Sequence, residues 1–138
     1  MSDIKERGAL VLVAEDDARM REVVVMTLEA EGYEVVQVAD GGRLLVHVAT
    51  HFRDLGGVAP ALILSDVRMP VMTGLSMLAA LRQSGRDTPV VLMTAFGDDD
   101  IRVRAEHLGA RLLDKPFTME ALLLTVRAAL EGRSRNAT

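Results

Sequence analysis

Five short apolar runs, each followed by a longer amphipathic stretch, set the tightest limit on what this chain can fold into. The runs are Ala9 to Val13, Val35-Val36, Ala61 to Leu64, Val90 to Met93 and Leu112-Leu113. Each is short, rich in branched residues and bounded by turn or charged residues, as suits strands buried on both faces. Between them, Met20, Val23, Val24, Thr27 and Leu28 fall at helical spacing, with Arg21, Glu22 and Glu29 off that stripe. Leu75, Leu78, Ala79 and Arg82 repeat the pattern, as do Ile101, Ala105 and Leu108, and then Met119, Leu122, Leu123, Val126 and Leu130. Gly41 to Phe52 reads as a further, weaker helix. Gly32, Gly85 and Gly109 follow the ends of helical patterns, where a left-handed C-terminal cap belongs. Strand then helix, five times over, predicts an α/β fold: a doubly wound, five-stranded parallel sheet with helices on both faces.

At 138 residues the chain has the length of one domain. We expect polar tails at residues 1–8 and 131–138, a domain over 9–130, and a mobile surface loop from His51 to Pro60. A net charge of −4 argues against a broadly basic nucleic-acid surface. With no cysteine, disulfides, cysteine-ligated metals and thiol nucleophiles are excluded together. The polar first residues carry no signal-peptide pattern, and no apolar run approaches the roughly 20 residues of a membrane span. The expectation is a cytoplasmic protein with no membrane partner.

Ligands of an open parallel sheet bind beyond the carboxyl ends of its strands. Glu15-Asp16-Asp17 follows the first run, Ser65-Asp66-Val67-Arg68-Met69-Pro70 the third, Thr94-Ala95 the fourth and Asp114-Lys115-Pro116 the fifth. Singly, each has a plain explanation: an acid pair before a helix caps it, and a lone Asp after a strand makes a turn. Together they differ, because several acids in one low-dielectric crevice repel one another unless a cation neutralises them. Hard oxygen ligands suit Mg²⁺, which commonly partners phosphoryl groups. A carboxylate beside that ion, with an amine and a hydroxyl near, can attack phosphorus and have the product oxygens held. The residues alone point to a magnesium-dependent aspartyl-phosphate site.

From about Ala9 to Leu130 the chain resembles a bacterial response-regulator receiver domain, a (βα)5 flavodoxin-like single domain. The likeness rests on Leu12 to Asp17, on Leu64 to Pro70 with Gly74 following, on Met93-Thr94-Ala95, and on Lys115-Pro116-Phe117. The resemblance implies that Asp66 accepts a phosphoryl group from a histidine kinase, a phosphotransfer protein or a small phosphodonor. It implies that Asp16 and Asp66 ligate Mg²⁺, that Glu15 does so through water, and that the main-chain carbonyl of Arg68 supplies a further ligand. Thr94 would bond the phosphoryl oxygens and Lys115 would pair with them, with a cis peptide at Lys115-Pro116. Asp17 is then an extra acid serving as a cap. The role that follows is a phosphorylation switch that changes its surface for an unidentified downstream protein and is not otherwise an enzyme.

The chain departs from the family in places. Receivers commonly place an aromatic residue three before the lysine, where this chain has Leu112, and the stretch from Gly109 to Lys115 is one residue short. Arg68 and Phe96 occupy positions that in the family tune loss of the phosphoryl group. Among lesser signals, His47 and His51 stand four apart and read as solvent-facing helix residues rather than zinc ligands. Asp98-Asp99-Asp100 reads as the first turn of the fourth helix, and Leu124 lies off its buried stripe. A homodimer through the last two helices is a candidate arrangement. Two other readings stand beside the stand-alone switch. One is a receiver cut from a larger regulator such as a transcription factor. The other is an aspartyl phosphatase of the haloacid dehalogenase kind, which wants its nucleophile after the first strand and an acid where Arg68 stands.

Overall fold

The computed structural model describes residues 8–95 and 99–136, and the side chains of these up to residue 132. The elements are β1 (Leu10–Ala14), α1 (Ala18–Ala30), β2 (Glu34–Val38), α2 (Gly41–Ala49), a single 3-10 turn (Arg53–Leu55), β3 (Leu62–Asp66), α3 (Gly74–Gln83), β4 (Val90–Thr94), α4 (Asp99–His107), β5 (Arg111–Asp114) and α5 (Met119–Asn136). The strands form one parallel sheet, as the alternation predicts, in the order β2-β1-β3-β4-β5.

Period-two alternation divides the core. Leu12, Ala14, Ile63, Val90 and Leu92 face α2, α3 and α4 through Leu44, Val48, Leu75, Leu78 and Ala105. Val11, Val13, Leu62, Leu64, Val91 and Met93 face α1 and α5 through Val24, Leu28, Leu122 and Val126. Burial on both faces holds for the inner strands β3 and β4 and for nearly all of β1. It does not hold for the edges, where Glu34, Gln37, Arg111 and Asp114 are exposed. An edge strand has a neighbour on one side only and half its surroundings are water.

Polar caps start the helices: Asp17, Asp40 and Thr73 each accept from backbone N–H groups of the first turn of α1, α2 and α3. Gly74 opens α3 because a Cβ there would stand 2.5 Å from the carbonyl oxygen of Asp66. That absence of a side chain lets α3 start directly beside the end of β3.

Four sequence expectations change. The weaker helix stops at Ala49 rather than Phe52, since His51 and Phe52 take positive φ and turn the chain. The His51-to-Pro60 segment is not simply loose surface: Phe52 is fully buried, Pro60 is buried, and the guanidinium of Arg86 lies 5.2 Å over the Phe52 ring. An aromatic anchor and a stacked cation hold a loop that its glycines alone would leave free. His51 therefore lies beyond α2, and His47 is half-buried rather than solvent-facing. At the far end α5 continues to Asn136, so helical backbone enters the stretch expected to be a polar tail. Among the described residues no helix is long and apolar enough to cross a membrane.

Candidate functional site

β1 runs out at Ala14, and the next three residues separate by role. Asp17 caps α1, its Oδ1 accepting from the N–H of Arg19 (2.9 Å) and of Met20 (3.1 Å). Those bonds hold the Asp17 carboxyl below its ordinary range and commit it to the helix. Glu15 is fully buried and Asp16 is exposed. The Glu15 backbone is fixed from outside, because Arg21 on α1 donates to its carbonyl oxygen at 2.7 Å while reaching Gln37 of β2 at 3.1 Å.

β3 delivers Asp66 to the same rim with only 9% of its surface exposed. One carboxylate oxygen accepts from the N–H of Arg68 at 3.3 Å, and the other accepts from Lys115 Nζ at 2.8 Å. The same ammonium donates to Glu15 at 2.9 Å. Lys115 reaches them from the end of β5, where its own N–H bonds the Thr94 carbonyl oxygen at 2.7 Å and the Lys115-Pro116 peptide is cis. Oxygens of Glu15, Asp16 and Asp66 all lie within 4.8 Å of one another. Octahedral coordination at about 2.0–2.1 Å puts opposite ligands roughly 4 Å apart, so this trio of hard oxygen donors fits a small divalent cation with a small adjustment or one bridging water.

The electrostatics agree with a site short of positive charge. Burial pushes the Glu15 carboxyl up to about 7, against the pull of Lys115 and with the help of Asp66. Burial would lower the Lys115 ammonium, but the hydrogen bonds and charges of Asp66 and Glu15 outweigh it and raise it. The Lys115 ammonium bonds both Glu15 and Asp66, and a divalent cation would relieve the charge this acidic trio still carries.

Thr94 ends β4 fully buried beside this group, yet its hydroxyl points elsewhere: it donates to Asp114 Oδ1 at 2.8 Å. Arg102 of α4 donates to the same oxygen. Arg68 is exposed, and Leu112 packs half-buried against the core. Phe96 and Asp98 lie outside the described residues, while Asp99 and Asp100 form the first turn of α4 as expected. Leu124 is 56% exposed, as its place off the stripe predicts. The sequence reading passes over Asp114 as a partner for Thr94, and over Arg102 altogether. The available signal was an acid directly before the lysine, with arginine on the preceding helix.

Comparison with known proteins agrees with this geometry. Residues 11–127 match the family model for the response regulator receiver domain. The chain is 37% identical over 124 residues to the C4-dicarboxylate transport transcriptional regulatory protein DctD of Pseudomonas aeruginosa, covering 89% of this chain and 25% of that one. It is 38% identical over 126 residues to the transcriptional regulatory protein FixJ of Azorhizobium caulinodans, covering 90% of this chain and 56% of that one. Among solved structures it superposes on the chemotaxis response regulator CheY4 of Vibrio cholerae with a TM-score of 0.74 and 33% identity, over 88% of this chain and 98% of that one. The chain thus spans between a quarter and just over half the length of the curated relatives it matches. By motif, fold and pocket alike, this chain belongs to the receiver domains of two-component response regulators.

Proposed function

We propose that Asp66 is the phosphoryl acceptor of this receiver domain and that Glu15, Asp16, Thr94 and Lys115 serve the transfer around it. Receiver domains bind Mg²⁺ through an acidic pocket, and Glu15, Asp16 and Asp66 form an acidic group of that kind. The observation that carries the proposal is Lys115, whose ammonium bridges Glu15 and Asp66 at 2.9 and 2.8 Å. An oxygen of the Asp66 carboxylate forms the bond to phosphorus as the bond to the donor's nitrogen or oxygen breaks, and the electron pair leaves with the donor. Lys115 stays within hydrogen-bond reach of the acceptor and offers its N–H groups to the charge gathering on the phosphoryl oxygens. Mg²⁺, when bound, supplies the remaining neutralisation; Asp16 and Asp66 would hold it directly, Glu15 through water, and the Arg68 carbonyl would complete the protein's share.

The acyl phosphate adds about −2 charge and new acceptor oxygens. Thr94 reaches them by turning its hydroxyl inward, which shifts the population of a two-state surface at α4 and β5. We take a histidine kinase or phosphotransfer protein as donor, a downstream protein as the reader and the cytoplasm as the place. The names and lengths of the relatives favour a second, compatible reading, in which this domain serves a larger transcriptional regulator. The full reading frame of the gene distinguishes the two.

Incubation with acetyl phosphate and Mg²⁺ tests the central assignment. The intact mass should rise by about 80 Da, one phosphoryl group, and Asp66→Asn should abolish the gain. Equal labelling of the variant removes Asp66 as the acceptor.

A further inference from the structure

Thr94 has one hydroxyl proton, so it can donate to one acceptor well at a time. In this structure that acceptor is Asp114, not the Asp66 pocket behind it. Parallel register sets Thr94 of β4 directly opposite Asp114 of β5, and Asp114 is the residue before Lys115. The carboxylate oxygen that takes the Thr94 proton also takes an N–H of Arg102 from α4. One atom therefore joins the buried hydroxyl at the pocket to a cation on the outer helix.

Leu112 stands where receivers commonly carry an aromatic ring, and it packs against the apolar core with no polar group to exchange. Arg102 and Leu112 both line a groove of about 460 Å³ between α4, β5 and α5, with Glu106, Arg111 and Leu124. Whatever moves Arg102 reshapes the rim of that groove.

We propose that Asp114 links phosphorylation to the surface: it holds the Thr94 hydroxyl outward at rest, and when Thr94 turns to the phosphoryl group Asp114 keeps only Arg102 in the relay, and Arg102 resettles on the α4–β5 face. The inference rests on the phosphorylation of Asp66 proposed above. Thr94 and then Arg102 hold the Asp114 carboxyl below its ordinary range, so it is ionised and a strong acceptor at neutral pH. Asp114 and Arg102 are 66% and 37% exposed at the side chain. Such a pair contributes little to stability, and its consequence is where Thr94 and Arg102 point. Asp114 is a positioning residue, acting through Thr94.

The test follows the labelled full chain by intact mass and by the NMR signals of Arg102, with acetyl phosphate and Mg²⁺ added. In the wild type, labelling should displace the Arg102 signals. Asp114→Ala should still gain the phosphoryl group, about threefold or more faster because Thr94 is no longer held back, and should lose most of the Arg102 displacement. Asp114→Asn keeps an acceptor for Thr94 but no charge for Arg102. It should label within about twofold of the wild-type rate, a difference too small for a lost hydrogen bond, and still lose the Arg102 displacement. Wild-type rate together with full Arg102 displacement in Asp114→Ala overturns the relay while leaving Asp66 phosphorylation standing. A wild type that takes up no phosphoryl group is a different failure: it sinks the phosphorylation reading and the relay with it.

Discussion

Lys115 shows at the scale of one residue why the pocket is poised rather than settled. Its ammonium is the cation between two largely buried carboxylates, Glu15 and Asp66. Removing one partner of such a group leaves uncompensated charge. Lys115→Ala should lower the stability of the metal-free protein by about 2 kcal/mol, a value reduced from the fully buried case for the partial exposure of the pair. Because a divalent cation can do the same electrostatic work, the loss should be smaller in Mg²⁺ than in EDTA. Equal losses in urea unfolding under both conditions would show that no cation shares the site. Glu15 gives the pH counterpart. Its carboxyl is raised from 4.5 to about 7 on folding, so the unfolded chain releases the proton first as pH climbs. The native state holds more protons across that window, and stability owed to the neutral form is present below about 4.5 and lost as pH rises through 7. The stability of wild type relative to Glu15→Gln should therefore fall by about 1–3 kcal/mol between pH 5 and pH 8 in EDTA. A flat difference contradicts a buried, proton-holding Glu15. That these acids converge was legible in the sequence, since each stands just after a strand. The direction of the Thr94 hydroxyl was not, because it depends on Asp114, twenty residues away, meeting it across two strands.

At the scale of elements, the helices were readable where one stripe faces the sheet and less so where a single side chain decides. Arg82 closes the last turn of α3 and appeared in the sequence only as a member of an apolar pattern. In the fold its guanidinium donates to the carbonyls of Leu108 (2.8 Å), Thr88 (2.8 Å) and Arg86 (3.1 Å). It thus ties α3 to the approach to β4 and to the turn between α4 and β5. Arg82→Met should cost about 2–3 kcal/mol, since three part-buried carbonyls lose their donor together. Arg82→Lys should recover less than half, because an ammonium cannot present the same fork. Full recovery by lysine, measured by denaturant midpoint, would show that only the charge mattered. The early end of α2 has the same character: periodicity carried the expected helix on to Phe52, while the buried ring and its positive φ ended it sooner.

On the scale of the molecule, sheet class and the placing of chemistry at one rim follow from alternating run and stripe, because few topologies bury five such runs in parallel. Which strands lie at the edges was only faintly written, in the polar Glu34, Gln37 and Arg111. The continuation of α5 to Asn136 was not signalled by any apolar stripe. The proposed switch depends on an oxygen of Asp66 forming the bond to phosphorus. The most direct measurement is to phosphorylate the protein with acetyl phosphate and Mg²⁺, reduce the acyl phosphate with borohydride, and map the product by peptide mass spectrometry. Homoserine at position 66, with Glu15 and Asp16 unmodified, is the expected result. Reduction products at position 15 or 16 with Asp66 intact, or no modified acid at all, would contradict it.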